Sequence, residues 1–263
     1  MRTRQIARGL FALWSLAVVP AKADLQFLGQ TRSVSAENSQ GASSSASASS
    51  FDPFHGAASV AWEYTGDRLR DEESGLYSAE AGQDSTLLPY GITAQGYTHD
   101  HQPFFHYVDY AQSALSDVHV VFATEASCEF LLTGRLETWG DYGGTDYGAY
   151  LAKVELSDDA GPLLFASVNP AFPLPSGSRV LDIYETFAVN PGVYTLDVGA
   201  SGEGCGGPYD MSRWGGGMVP GCGGSGAAEY DLRLVVIPAP AVLPLVLCGL
   251  GAVAFLKRRT ILR

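Results

Sequence analysis

Hydrophobic and polar residues alternate with a period of two through most of the second half of this chain. Over residues 128–137, Cys128, Phe130, Leu132 and Leu136 share one face, while Glu129, Thr133, Arg135 and Glu137 share the other. Successive side chains of a strand point to opposite sides, so this spacing predicts a half-buried strand. Tyr150, Ala152, Val154 and Leu156 alternate with Leu151, Lys153 and Glu155, and residues 157–162 supply turn formers that return the chain through 163–168 as a hairpin. Leu181, Ile183, Phe187 and Val189 predict another strand, stopped by Asn190-Pro191-Gly192; Tyr194, Leu196 and Val198 predict the next. The most regular comes last, with Tyr230, Leu232, Leu234 and Val236 alternating with Glu229, Asp231 and Arg233.

The first part of the body is marked less strongly. Residues 24–60 read as weakly marked Ser/Ala-rich strands: from Leu25 to Ser50 the chain is small and polar, with SSSASASS at 43–50, a composition that alone also suits a disordered linker, and Phe51-Asp52-Pro53-Phe54 and Ala58-Ser59-Val60-Ala61-Trp62 follow. Alternating Ser and Ala suit a flat strand with two similar faces, and the Asp-Pro pair suits a turn between two such strands. No helical stripe of useful length interrupts the body. The expected fold class is all-β: one antiparallel β-sandwich of jelly-roll type over residues 24–236. Within it, residues 199–226 read as a glycine-rich loop, since 12 of these 28 residues are glycine.

Both ends of the chain depart from this pattern. Residues 1–23 carry a basic head, an apolar stretch over 10–19, and small residues at Ala21 and Ala23, the plan of a secretory signal peptide cleaved before Asp24. Residues 237–263 read Ile237-Pro238-Ala239-Pro240, then AVLPLVLCGLGAVAFL, then Lys257-Arg258-Arg259. Sixteen helical residues reach about 24 Å, a short transmembrane helix whose flanks must snorkel, and the basic tail places the body outside the inner membrane. This end resembles the PEP-CTERM sorting signal, which joins a proline-containing tetrad, a short helix rich in Leu, Gly and Ala, and an Arg-rich tail. The family has Glu most often between its prolines, where this chain has Ala239. The resemblance implies an exosortase-type processing enzyme as partner, transient residence in the inner membrane, and delivery to the cell envelope or extracellular matrix. The closing strands also resemble the β-sandwich bodies often found ahead of such signals.

Charge sharpens the picture. Eight of the 16 Lys and Arg lie in the two terminal segments, which hold no acid, leaving 8 against 28 Asp and Glu in the body, a net −20. Such a surface repels phosphate backbones, so nucleic acid is excluded as a partner. Three cysteines belong to the body. In an oxidising compartment a disulfide is permitted, and Cys205 with Cys222 is the pair expected, both lying in the glycine-rich stretch; the alternative keeps all three reduced with Cys128 buried on a strand.

Candidate chemistry is sparse. His99-Asp100-His101 with His106 has ligand-like spacing, because on an extended segment His99 and His101 point the same way and two imidazoles with a third ligand suffice for zinc or copper. Exposed histidines in an aromatic loop explain the same residues more simply. Asp141 and Asp146, or Asp158 and Asp159, are oxygen donors of a kind that calcium takes, but turn chemistry accounts for them. Tyr209 and Trp214 in the glycine-rich stretch are suited to stacking on a sugar ring. No nucleophile elbow, phosphate loop or dinucleotide fingerprint occurs, and no cofactor is implied. The expectation is a non-enzymatic, structural or adhesive envelope protein in contact with exopolysaccharide, with a carbohydrate-binding module and a metal-dependent enzyme as alternatives.

Overall fold

The computed structural model describes residues 24–38, 40–65, 74–101, 110–141, 149–169, 177–206, 209–210, 218–219 and 225–238. Among them the secondary structure is entirely strand and turn: β1 (Leu25–Asn38), β2 (Ser43–Ala48), β3 (Phe54–Thr65), β4 (Ser74–Leu88), β5 (Gly91–His101), β6 (Tyr110–Thr124), β7 (Cys128–Asp141), β8 (Ala149–Asp158), β9 (Gly161–Val168), β10 (Gly177–Val189), β11 (Gly192–Gly206), β12 (Tyr209–Asp210), β13 (Met218–Val219) and β14 (Ser225–Pro238). Two six-stranded antiparallel sheets form, in the orders β2-β1-β6-β11-β8-β9 and β10-β7-β14-β5-β4-β3, with β12 and β13 as a separate ladder. They pack face to face as a sandwich, as the alternation predicts. Among the described residues no helix is long and apolar enough to cross a membrane, and residues 241–256 lie outside those residues.

The strands legible in the sequence adopt the faces assigned to them. Phe130, Leu132 and Leu136 of β7, Val154 and Leu156 of β8, Leu196 and Val198 of β11, and Leu232 and Leu234 of β14 are buried in one core. Toward its short-turn end Phe122 of β6, Phe130 and Tyr194 meet across the two sheets, with ring centroids 5.0 to 6.0 Å apart. Edge-to-face and offset contacts of this kind add to the burial of ring area. A second, thinner cluster is built from Val34, Ala36, Ala58, Val60, Ala79, Ala81 and Ala114. The Ser/Ala-rich start of the body does form strands, β1 and β2, as expected.

Several details differ from the sequence reading. Residues 74–124 hold β4, β5 and β6, which apolar alternation does not announce, because their inward positions include Gln83, Ser85, Thr98, Asp100, Gln112 and Ser116. The histidine segment is therefore strand, not loop, as far as His101. The stretch 199–226, read as one loop, is strand at both ends: β11 continues to Gly206 and β14 begins at Ser225. Backbone hydrogen bonding to β6 holds those glycines in the ladder where composition alone suggested a break. The 157–162 turn narrows to Asp159 and Ala160, where Asp158 Oδ1 accepts the N–H groups of Ala160 (2.8 Å) and Gly161 (3.2 Å). Gly161 has φ +133°, which a residue with a Cβ rarely adopts.

Most connections sort by length to opposite ends; the short β1–β2 turn between Asn38 and Ser43 is the exception and lies with the longer ones, where Asn38 pairs with Gln112. Residues 89–90, 125–127, 159–160 and 190–191 make short turns at one end. Connections 66–73, 102–109, 142–148, 170–176 and the stretch between Gly206 and Ser225 all join strand ends at the other. Both ends of the described fold lie at the short-turn end, where Leu25 pairs with Thr124 and Pro238 with Cys128.

Removing one of these buried rings tests the packing. Phe130→Ala is expected to lower the unfolding free energy by about 3 to 5 kcal/mol in a denaturant titration, with the m-value unchanged.

Candidate functional site

Toward the strand ends at His101, Tyr110 and Ser225 the interior turns polar. On β5, Thr98 and Asp100 point inward, and His99 and His101 therefore point outward, as the period of two requires. Asp100 is fully buried. Its Oδ1 accepts the Tyr150 hydroxyl from β8 in the opposite sheet and the Gly226 N–H at 3.2 Å; its Oδ2 accepts Gln112 Nε2 from β6 at 3.2 Å. Three strands besides β5 thus converge on one carboxyl group. Burial pushes its pKa up to about 7, against the pull of Tyr150, Gln112 and Gly226 in favour of the charged form.

Glycines create the space that Tyr150 fills. A Cβ at Gly226 would sit 2.3 Å from Tyr150 Cε2 and Cζ, and one at Gly202 would sit 3.3 Å from Cδ1. The glycines that looked like loop formers in the sequence are here the floor under an aromatic ring, and they let its hydroxyl cross to Asp100.

One step further into the sandwich runs a second polar chain. Gln83 Nε2 donates to Tyr230 Oη (3.2 Å) and to the Asp117 carbonyl (3.2 Å); Tyr230 Oη lies 3.0 Å from Ser116 Oγ, which donates to the Gly82 carbonyl (3.1 Å). Burial pushes the Tyr230 phenol up to about 12, so it stays a donor at every physiological pH. Gln83 Oε1, Thr98 Oγ1, Gln112 Oε1 and Thr138 Oγ1 have no hydrogen-bond partner among the described residues. Buried oxygens of this kind cost free energy, and their gathering at one end marks that end as different from an ordinary core.

Arg32 of β1 closes the same side. Its guanidinium is wholly buried, and it donates from Nε to Gln30 Oε1 (2.8 Å), from Nη1 to Ser85 O (3.2 Å) and Oγ (3.3 Å), and from Nη2 to the carbonyls of Ser50 and Asp52 (both 2.6 Å). Burial lowers its pKa while Asp52 raises it. The five bonds tie β1, the β2–β3 turn and β4 together.

The expected site residues distribute as follows. His99 faces Trp139, with ring centroids 5.7 Å apart, and His101 Nδ1 lies 3.0 Å from Ser225 Oγ. His106 lies outside the described residues, and among the described residues no group of three His, Cys, Asp or Glu is placed to hold a metal. Cys128 is a buried free thiol on β7, and burial raises its pKa. Cys222 and Trp214 lie outside the described residues, as do the side chains of Cys205 and Tyr209, so the disulfide and the stacking pair do too. Ala21, Ala23, Ala239, Pro240, Lys257, Arg258 and Arg259 are also outside them; Ile237 and Pro238 end β14. The residue to which the sequence reading gives no role of its own is Asp100, which stands between the two histidines. The signal was present: if His99 and His101 face outward, Asp100 must face in.

The Asp100 carboxyl makes stability depend on pH. Its folded pKa lies above the unfolded value, so the folded state binds the extra proton between about pH 4 and 7, and stability falls as pH rises through that window. At about 1.4 kcal/mol per pKa unit the loss reaches up to about 4 kcal/mol. Asp100→Asn, with the Gln112 amide turned to accept from the new amide, is expected to flatten this part of the curve in urea titrations from pH 4 to 8; an unchanged slope would remove Asp100 as its source.

No protein family matches this chain, and no curated protein matches it. Among solved structures, the crystal structure of the enzymatically active domain of bacteriophage CBA120 tailspike protein 4 is similar over 60% of this chain and 19% of that one, at 13% identity and a TM-score of 0.22. This chain thus spans about a fifth of that protein, and a likeness at that score carries no argument about fold or activity.

Proposed function

We propose that this chain is an exported component of the bacterial cell envelope or its extracellular matrix, with a structural or adhesive role. Residues 1–23 act as the export signal, and residues 237–263 act as a PEP-CTERM-like sorting signal processed by an exosortase-type enzyme in the inner membrane. The observation that carries this reading is where the strands begin and end. β1 starts at Leu25, two residues after Ala23, and β14 stops at Pro238, the first proline of the tetrad. The described strands run from Leu25 to Pro238, so cleavage before Asp24, and cleavage after the tetrad, each leave every described strand intact.

Orientation gives the proposal its second support. Both ends of the fold leave from the short-turn end, so a body held at its C-terminus directs the long-connection end away from the membrane. Long connections on a rigid sandwich are where recognition is usually carried. Exopolysaccharide is the matrix partner that fits, because a body of net −20 is soluble in a hydrated gel and rejects nucleic acid. No enzymatic activity or cofactor forms part of the proposal.

Intact-mass spectrometry of the protein recovered from cell fractions tests the reading. The expected envelope or extracellular species begins at Asp24 and lacks residues after the 237–240 tetrad, or retains them in the membrane fraction. A full-length chain beginning at Met1 in the cytosolic fraction would contradict it.

A further inference from the structure

The outward face of the β10-β7-β14-β5-β4-β3 sheet carries aromatic rings and carboxylates in register near the long-connection end. Tyr97 of β5 pairs with Gly82 of β4, and a Cβ at Gly82 would sit 2.4 Å from Tyr97 Cε1, 2.8 Å from Cζ and 3.0 Å from its hydroxyl oxygen. The ring therefore lies across the neighbouring strand in the space that glycine leaves, and at 43% exposure one ring face is open to solvent. Two positions along, His99, Ala227 and Trp139 form one row across β5, β14 and β7. The His99 and Trp139 rings, 5.7 Å apart and inclined by 38°, cover Ala227, which is only 3% exposed although its register faces outward.

Carboxylates border these rings. Glu229 stands between Tyr97 and Glu137 in one row, and Glu80 lies opposite His99 in the next. Glu229 and Glu137 face each other directly across the ladder, an arrangement of like charges that weakens a sheet. Arg135 reaches Glu137 at 2.8 Å, leaving Glu229 at the exposed centre of the face. A local conflict of this kind is characteristic of a working surface.

We infer that this face, built on Tyr97, His99 and Trp139 with Glu80, Glu137 and Glu229, is a binding platform for an uncharged polysaccharide. The inference deepens the matrix reading above and rests on it for the partner's class. Aromatic ring faces match the C–H faces of pyranose rings, and carboxylate oxygens accept hydrogen bonds from sugar hydroxyls. Tyr97 and Trp139 stand two strands and two residues apart, about 12 Å between Cα atoms, which suits an extended oligosaccharide laid diagonally over the sheet. The three glutamates select against uronic-acid polymers by charge.

Glycan-array binding of the full sandwich body, with neutral and uronic-acid oligosaccharides side by side, tests the platform. The expected result is binding to neutral oligosaccharides only, weakened tenfold or more by Trp139→Ala and by Tyr97→Ala, weakened by the fold-conserving Glu229→Gln, and unchanged by Trp214→Ala. Thermal melts of each variant separate lost binding from lost folding. The inference is overturned if no neutral glycan binds, if uronic-acid glycans bind equally, if binding survives both ring deletions in folded protein, or if Trp214→Ala alone abolishes it. Failure here with correct export and processing leaves the envelope reading standing, whereas a cytosolic full-length chain removes that reading whatever the array shows.

Discussion

A carboxyl group sealed between two sheets has no water to solvate it, and Asp100 can remain there only because the opposite sheet supplies donors. Tyr150 provides one from β8, Gln112 another from β6, and Gly226 a third from its own sheet. This requirement shapes the end of the sandwich around it. Tyr150 can cross the gap because Gly226 and Gly202 leave room for its ring. With Tyr230, Ser116 and Gln83 forming the next layer, the sheets are joined by hydrogen bonds at one end and by Phe122, Phe130 and Tyr194 at the other. Apolar contact is tolerant of small shifts, whereas a buried hydrogen bond is sensitive to distance and angle. The polar end is therefore the one whose geometry is specified most narrowly.

That division coincides with how the connections are arranged. The apolar end is finished by turns of two or three residues and holds both ends of the described fold; the polar end receives the longer connections together with the β1–β2 turn. A domain held at its C-terminus and required to meet something beyond itself gains from such polarity. The large apolar core lies toward the end from which Leu25 and Pro238 leave, and the opposite end rests on a network that fixes strand ends without a large apolar core beneath them. Trp139, His99 and Tyr97 sit on the outer side of these same strand ends, so the interior network also holds the platform rings in register.

The sequence made the apolar half of the fold legible and left the polar half obscure. β7, β8, β11 and β14 alternate Phe, Leu, Val and Tyr with charged residues, and the burial of each follows that pattern. β4, β5 and β6 mix Ala, Ser, Thr, Gln and Asp with Ile92, Val118, Val120 and Phe122 at inward positions, so hydropathy alone does not separate their two faces along the whole strand. The glycines of 199–226 misled for a related reason. In a sheet they serve as space for Tyr150, a role that depends on a residue some 50 to 75 positions away in sequence and on a pairing that no local pattern encodes. Asp100 was hidden by its neighbours, since two histidines with ligand-like spacing drew the reading outward while the acid between them faced in.

The narrowest test of this account is a carbon-13 NMR titration that follows the Asp100 side-chain carboxyl directly in the folded protein. The buried, hydrogen-bonded site predicts a midpoint near 7, with Tyr150 and Gln112 resonances moving in the same step. A midpoint in the ordinary carboxylate range near 4 would contradict it, because the cost of burial would then not outweigh the donors that favour the charged form.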